Sequence, residues 1–124
     1  MKIFLIAILL SVSALHAIEW QSYESALKIA KAKGKIIMID AVRTGCHYCE
    51  DMEQDVFDDP KASQWIETHF IPVKINVSNK AMPLDIEVSM TPSFYFINGD
   101  EKVIKKIPGA WSWEDFHSML EGIK

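Results

Sequence analysis

Four consecutive apolar residues, Ile36-Ile37-Met38-Ile39, limit the possible folds of this chain more than any other segment. A strand with this pattern is apolar on both faces, and such strands lie in the centre of sheets that helices cover on both sides. Before the run, apolar residues recur at helical spacing between Ser22, a predicted N-cap, and Gly34, where a helix usually ends. The pattern therefore predicts an α/β fold in which this strand is central.

Helices and strands continue to alternate after the central strand. The predicted elements are, in order, a helix from Cys46 to Phe57, a helix from Lys61 to His69, a strand from Ile71 to Val77, a strand from Ser93 to Ile97, a return strand from Lys102 to Ile107 and a last helix opened by Ser112. Asp58-Asp59-Pro60 is predicted to stop the first of these helices, and Asn98-Gly99 predicts a tight hairpin turn. This order predicts a mixed central sheet with helices on both faces and a C-terminal β-hairpin plus helix.

Length and charge exclude several classes of protein. The chain has 124 residues, which corresponds to one domain. Its net charge is -4, with 17 acidic and 13 basic side chains, so it lacks the basic surface that nucleic acids require and no nucleic-acid partner is expected. Its two cysteines are too few for a small fold held together by disulfides.

Residues 1–17 predict a signal peptide. Met1-Lys2 gives a positive start, Ile3 to Leu10 is an uninterrupted apolar run, and small residues follow. An uncleaved membrane anchor is the alternative, but the stretch up to Ile18 has 16 residues, where a spanning helix needs roughly 20 apolar ones. We expect cleavage after Ala14 or Ala17 and an exported domain at residues 18–124.

The Cys46-His47-Tyr48-Cys49 segment carries the chemistry that the sequence indicates. The two cysteines stand where a helix begins after a buried strand, and a helix N-terminus favours a thiolate at Cys46. Their spacing brings both sulfurs within reach of a disulfide. We therefore predict Cys46 as the exposed nucleophile and Cys49 as the buried thiol that resolves a mixed disulfide. A protonated His47 would stabilise the Cys46 thiolate further.

Other interpretations of this cysteine pair remain open. A structural zinc site needs four ligands, and no second cysteine pair exists, although copper or zinc handling with His47 is an alternative. Attachment of a c-type haem would require histidine after Cys49, where Glu50 stands. A purely structural disulfide would close so short a loop that it constrains the unfolded chain little. We favour redox chemistry with no metal and no cofactor. Arg43 either favours the Cys46 thiolate or is a solvated loop charge, and we expect the latter.

The mature region resembles the thioredoxin superfamily. The matching places are Cys46-His47-Tyr48-Cys49, Asp40 six residues before Cys46, Lys74, Met90-Thr91-Pro92 and Gly109. The resemblance implies the thioredoxin fold, with Asp40 as a buried acid that relays protons to Cys49 and Pro92 as a cis-proline facing the disulfide. It also implies that the Thr91 backbone pairs with an extended substrate beside Cys46. His47 and Tyr48 complete the predicted substrate-binding residues.

Two departures from the family pattern bear on function. Gly45 stands where tryptophan is common, and His47-Tyr48 replaces the cytosolic glycine–proline dipeptide. Tyr48 and Thr91 resemble the isomerase and reductase branch of periplasmic thiol proteins. The resemblance implies a monomeric periplasmic thiol–disulfide oxidoreductase that reduces protein or peptide disulfides, with a membrane electron-transfer protein as its redox partner. A disulfide isomerase, an oxidase, a non-catalytic binding module and a metal chaperone are the alternatives.

Overall fold

The computed structural model describes residues 17–123, and the apolar run at 36–39 forms a central strand in it. The helices are α1 (Tyr23–Lys33), α2 (His47–Met52), α3 (Pro60–His69) and α4 (Trp113–Leu120). The strands are β1 (Ile36–Val42), β2 (Phe70–Asn76), β3 (Ser93–Ile97) and β4 (Val103–Pro108). The predicted signal segment lies outside the described residues apart from Ala17. Within residues 17–123, no helix combines the length and the apolar character that crossing a membrane requires.

The sheet of residues 17–123 is mixed, with strand order β2-β1-β3-β4. β1 runs parallel to β2 and antiparallel to β3, and β3 and β4 form the antiparallel hairpin. In the parallel pair, Asp40 of β1 lies opposite Lys74 of β2. The predicted fold class, a mixed sheet followed by a hairpin and a last helix, is confirmed.

Helices cover both faces of this sheet. On one face α1 packs against β1, β2 and β3, in a cluster of buried side chains that includes Ala26, Ala30, Ile37 and Ile39. On the other face α2, α3 and α4 bury a second cluster that includes Met38, Phe57, Ile66, Phe96 and Phe116. Successive side chains of a strand point to opposite faces of the sheet, so the apolar run contributes buried side chains to both clusters. Asp40 is on the face of Met38, towards α2.

The predicted signals at the ends of the helices act as expected. Ser22 caps α1 by accepting a hydrogen bond from the Ser25 N–H at 3.1 Å, and Gly34 ends that helix in the left-handed conformation. Asp59 was predicted only as part of a helix stop, but it also caps α3, which begins at Pro60 and not at Lys61. Ser112 caps α4 through the Asp115 N–H at 3.2 Å. These side chains satisfy backbone N–H groups that have no partner within the helix.

Three elements differ from the prediction. β1 continues to Val42, so Asp40 lies inside the strand and not at its end. α2 changes at Glu53–Phe57 into a π-helical turn, which sequence periodicity does not reveal. The hairpin loop spans residues 98–102, because the Asn98 side chain accepts hydrogen bonds from the N–H groups of Asp100 and Lys102 and stabilises a wider turn.

Candidate active site

Cys46 and Cys49 form a disulfide at the start of α2. Cys46 is the N-cap of that helix, and its Sγ accepts a hydrogen bond from the Cys49 N–H at 3.2 Å. Gly45, with a φ of 72°, makes the turn that leads into the helix. Both cysteines are partly exposed, so the expectation that Cys49 is buried is not met. The same N–H is available to stabilise a Cys46 thiolate once the disulfide is reduced.

Thr91 contacts the sulfur of Cys46. Its hydroxyl donates a hydrogen bond to Cys46 Sγ at 3.3 Å, and its carbonyl oxygen lies 3.6 Å from the same sulfur. The Thr91–Pro92 peptide bond is cis. The Pro92 carbonyl accepts a hydrogen bond from the Gly109 N–H at 2.8 Å, which ties this loop to the end of β4. The structure therefore places Thr91 and Pro92 beside the disulfide.

His47 and Tyr48 lie on the open surface between the two cysteines. The side chain of His47 is 80% exposed, and its Nε2 lies 3.6 Å from a carboxylate oxygen of Asp51. Tyr48 is 64% exposed, and the two rings meet edge to face at 5.8 Å. The ionic partner of His47 in the structure is therefore Asp51, one helical turn further on.

Asp40 is buried in β1. The residue is only 1% exposed, and its Oδ1 has no hydrogen-bond partner among the described residues. Burial is the main cause that raises the pKa of Asp40 to about 7. The Lys74 cation acts in the opposite direction, and the Glu53 carboxylate adds to the rise. A carboxyl with such a pKa exchanges a proton readily near neutral pH.

Glu53, the first residue of the π-helical turn, forms an ion pair with Lys74 of β2. The Lys74 ammonium also lies 4.4 Å from the centre of the Trp20 ring, so it is held from two sides. The sequence prediction did not include Glu53 among the site residues. Its position four residues after Cys49 was the available signal, because residues four apart share one face of a helix.

A shallow pocket of about 260 Å³ joins the disulfide to this ion pair. Cys46, Cys49, Glu53 and Lys74 all line it. Both charged groups that act on the pKa of Asp40 therefore face the space in front of the cysteines. The arrangement provides a partly exposed sulfur pair beside an ion pair that is coupled electrostatically to the buried Asp40, which suits thiol–disulfide exchange.

The expectation that Arg43 is a solvated loop charge is wrong. Its guanidinium is partly buried and donates a hydrogen bond from Nη2 to the Val88 carbonyl at 2.7 Å. The segment before β3 passes over the end of β1 and brings that carbonyl within reach. In addition, no group of three or more histidine, cysteine or acidic side chains within residues 17–123 is arranged to hold a metal ion.

Comparisons with known proteins agree with this geometry. Residues 23–124 match the Thioredoxin-like domain family. A thioredoxin from Thermus thermophilus superposes with a TM-score of 0.71 at 26% identity, covering 87% of this chain and 88% of that one. An oxidoreductase named DsbH gives 0.73 at 18% identity, covering 87% and 85%. A poplar thioredoxin h gives 0.68 at 20% identity, covering 82% and 86%.

The sequence has no significant match among curated proteins. The family match nevertheless extends over most of the chain and includes every element of the sheet. The observed fold is the predicted mixed sheet with helices on both faces, and the cysteine pair forms the expected disulfide. The chain therefore belongs to the thioredoxin-like domain family, has the thioredoxin fold, and is a thiol–disulfide oxidoreductase.

Proposed function

We propose that this protein is an exported reductase of protein disulfides. The observation that carries the proposal is the Cys46–Cys49 disulfide at a helix start, partly exposed and contacted by Thr91. Three exposed apolar side chains support a protein substrate, namely Tyr48, Met90 and Trp111. Tyr48 lies between the cysteines, and Met90 precedes Thr91. Trp111 donates a hydrogen bond from its ring N–H to the Pro108 carbonyl at 2.9 Å.

The first step of the proposed reaction transfers one client sulfur to Cys46. In the reduced protein the Cys46 thiolate attacks a sulfur of the client disulfide and forms a mixed disulfide. The second client cysteine leaves as a thiolate and takes a proton from water. The Cys49 N–H at 3.2 Å and the Thr91 hydroxyl at 3.3 Å are the donors that favour the attacking thiolate.

The second step releases the client. Cys49 loses its proton and attacks the Cys46 sulfur, so the Cys46–Cys49 disulfide forms and the remaining client sulfur leaves as a thiolate, which then takes a proton from water. We assign Asp40 as the group that accepts the Cys49 proton, because burial raises the pKa of Asp40 to about 7. In total the client disulfide gains two electrons and two protons, and the dithiol of the protein becomes a disulfide.

The compartment and the redox partner are part of the same proposal. The signal pattern in residues 1–17 supports export to the periplasm, where a reductase must be returned to its dithiol form by a partner. We assign that role to a membrane electron-transfer protein. Mass spectrometry of the protein recovered from the periplasm tests the export. We expect a chain that starts at Leu15 or Ile18, and recovery of the full-length chain from the cytoplasm alone would contradict it.

The reduction potential of the cysteine pair tests the reductase direction. We expect equilibration with glutathione to give a potential closer to the roughly −270 mV of thioredoxin than to the roughly −120 mV of a strong periplasmic oxidant. The reason is that a positive charge on His47, which would stabilise the Cys46 thiolate, would be offset by the Asp51 carboxylate 3.6 Å from its Nε2. A value near the oxidant end would identify an oxidase instead.

A further inference from the structure

Two loop segments run side by side at the active site. Arg43 lies three residues before Cys46, and Val88 lies three residues before Thr91. The Arg43 guanidinium donates to the Val88 carbonyl at 2.7 Å, and the Thr91 hydroxyl donates to Cys46 Sγ at 3.3 Å. The segments 43–46 and 88–91 are therefore joined at both ends, in register.

The rest of the loop before Cys46 is attached elsewhere. The Val42 carbonyl accepts a hydrogen bond from the Val77 N–H at 2.8 Å, and the Thr44 N–H donates to the Ser78 hydroxyl at 3.2 Å. These contacts hold the loop to the end of β2. Among the described hydrogen bonds, only those of Arg43 and of Cys46 connect this loop with segment 88–91.

Segment 88–91 has further restraints within it and on either side of it, because the Glu87 carbonyl lies 3.5 Å from the Tyr95 hydroxyl and the Pro92 carbonyl accepts a hydrogen bond from the Gly109 N–H. It ends the long connection between β2 and β3, which within the described residues contains only one short 3-10 turn at Pro83–Asp85. The Met90 carbonyl accepts a hydrogen bond from the Ser93 hydroxyl at 2.8 Å, and Val88 packs against the core on the α1 face. The Gly109 N–H bond to the Pro92 carbonyl at 2.8 Å anchors the Thr91 end of this segment, and the Arg43 bond to the Val88 carbonyl sets the position of its other end.

We propose that Arg43 is a positioning residue for thiol–disulfide exchange. Its guanidinium fixes the Val88 carbonyl so that the Thr91 hydroxyl stays on the Cys46 sulfur and the Thr91 backbone stays in place for a client strand. A hydrogen bond from a charged donor to a carbonyl is stronger than a neutral one, which suits this role. The inference rests on the proposed exchange at Cys46 and adds a residue to it.

Arg43→Met is the first test. This variant keeps an apolar stem but has no donor for the Val88 carbonyl, so we expect kcat/KM for insulin reduction to fall about tenfold, mainly through a higher KM. Arg43→Lys keeps a charged donor and is expected to stay within about threefold of the wild-type protein.

Lys80→Met is the matched control. Lys80 lines the same 380 Å³ pocket as Arg43 and carries the same charge, but it does not bond the Val88 carbonyl. We expect its kcat/KM to remain within about twofold of wild type, because a charge in solvent contributes little. An equal loss in Lys80→Met and Arg43→Met would overturn the positioning role, since net charge alone would then explain both.

The ionisation of Cys46 gives a second readout that does not require turnover. We follow the pH dependence of Cys46 alkylation by iodoacetamide in the reduced protein, alone and in the Thr91→Val background. Arg43→Met is expected to raise the pKa of Cys46, because the Thr91 hydroxyl loses its place at the thiolate. In the Thr91→Val background, Arg43→Met should raise the pKa of Cys46 little further, because both changes remove the hydrogen bond from the Thr91 hydroxyl to the Cys46 sulfur.

If the increases in the pKa of Cys46 caused by Arg43→Met and by Thr91→Val simply add, the proposal is overturned, and Arg43 acts on Cys46 by a direct electrostatic effect. Such an effect would also weaken at high salt, whereas a displaced hydroxyl would not be restored by salt. Should Arg43→Met fold poorly, Arg43→Gln, with a shorter neutral donor, enters the same cycle. If the wild-type protein does not reduce insulin, the proposed function is contradicted, but the alkylation measurements still test the role of Arg43.

Discussion

Cys46→Ser is expected to lower the catalysed rate of insulin reduction, measured above the background of dithiothreitol alone, at least about a thousandfold. A serine hydroxyl is not ionised near neutral pH, and its oxygen cannot form the mixed disulfide on which both steps depend. The Thr91 hydroxyl and the Cys49 N–H that surround the sulfur would remain in place. The loss would therefore measure the nucleophile itself, by the turbidity of the released insulin chain.

Cys49→Ala is the paired variant, and it separates catalysis from structure. It keeps the nucleophile but removes the thiol that releases the client, so a Cys46–client disulfide is expected to accumulate. Mass spectrometry of the trapped adducts would identify the clients. A binding module whose cysteines are incidental would trap nothing, and insulin reduction that survives Cys46→Ser would contradict the assignment of Cys46.

The parts of the fold that depend on neighbouring residues were predictable from the sequence. The apolar run at 36–39 sets a central strand, and Ser22, Gly34 and Ser112 cap helices because each supplies a local hydrogen bond or a left-handed conformation. The cysteine spacing likewise set the disulfide. In each case the partners lie within a few residues of each other, so the pattern carries the information.

The contacts that adjust the site were not predictable in this way. Lys74 was recognised by resemblance, but its partner Glu53 belongs to the π-helical turn, 21 residues earlier in the sequence, and only the tertiary fold brings the two together. Arg43 and the Val88 carbonyl are 45 residues apart in sequence. A charged side chain in a loop is most often solvated, and no local pattern shows that a distant backbone carbonyl will pass within 2.7 Å of it.

Asp40→Asn is expected to become more stable than the wild-type protein as the pH rises. Between pH 4 and pH 8 the free energy of unfolding of the oxidised wild-type protein should fall by about 4 kcal/mol more than that of the variant. Burial raises the pKa of Asp40 from 3.8 to about 7, so the folded wild-type protein binds this proton more tightly than the unfolded chain. The stabilisation that the protonated acid provides is complete below pH 3.8 and is lost as the pH rises through about 7. Asparagine has no such proton to lose.

The measurement is chemical unfolding of the oxidised protein at a series of pH values. Asp55→Asn is the control, because it makes the same chemical change on an exposed residue of the π-helical turn. Its stability is expected to follow that of wild type within about 0.5 kcal/mol at every pH. Parallel pH profiles for Asp40→Asn and wild type would contradict the raised pKa of Asp40.

The kinetics of the same variant decide whether the buried acid also moves the proton. If Asp40 accepts the proton of Cys49, Asp40→Asn should slow the release of a preformed Cys46–client disulfide about a hundredfold near pH 7, while the initial attack by Cys46 changes little. The two effects have one origin, because the burial that destabilises the Asp40 carboxylate also makes it a better base for a thiol. A gain in stability without slower release would leave Asp40 as a buried acid and transfer the proton step to water in the pocket between the cysteines and Lys74.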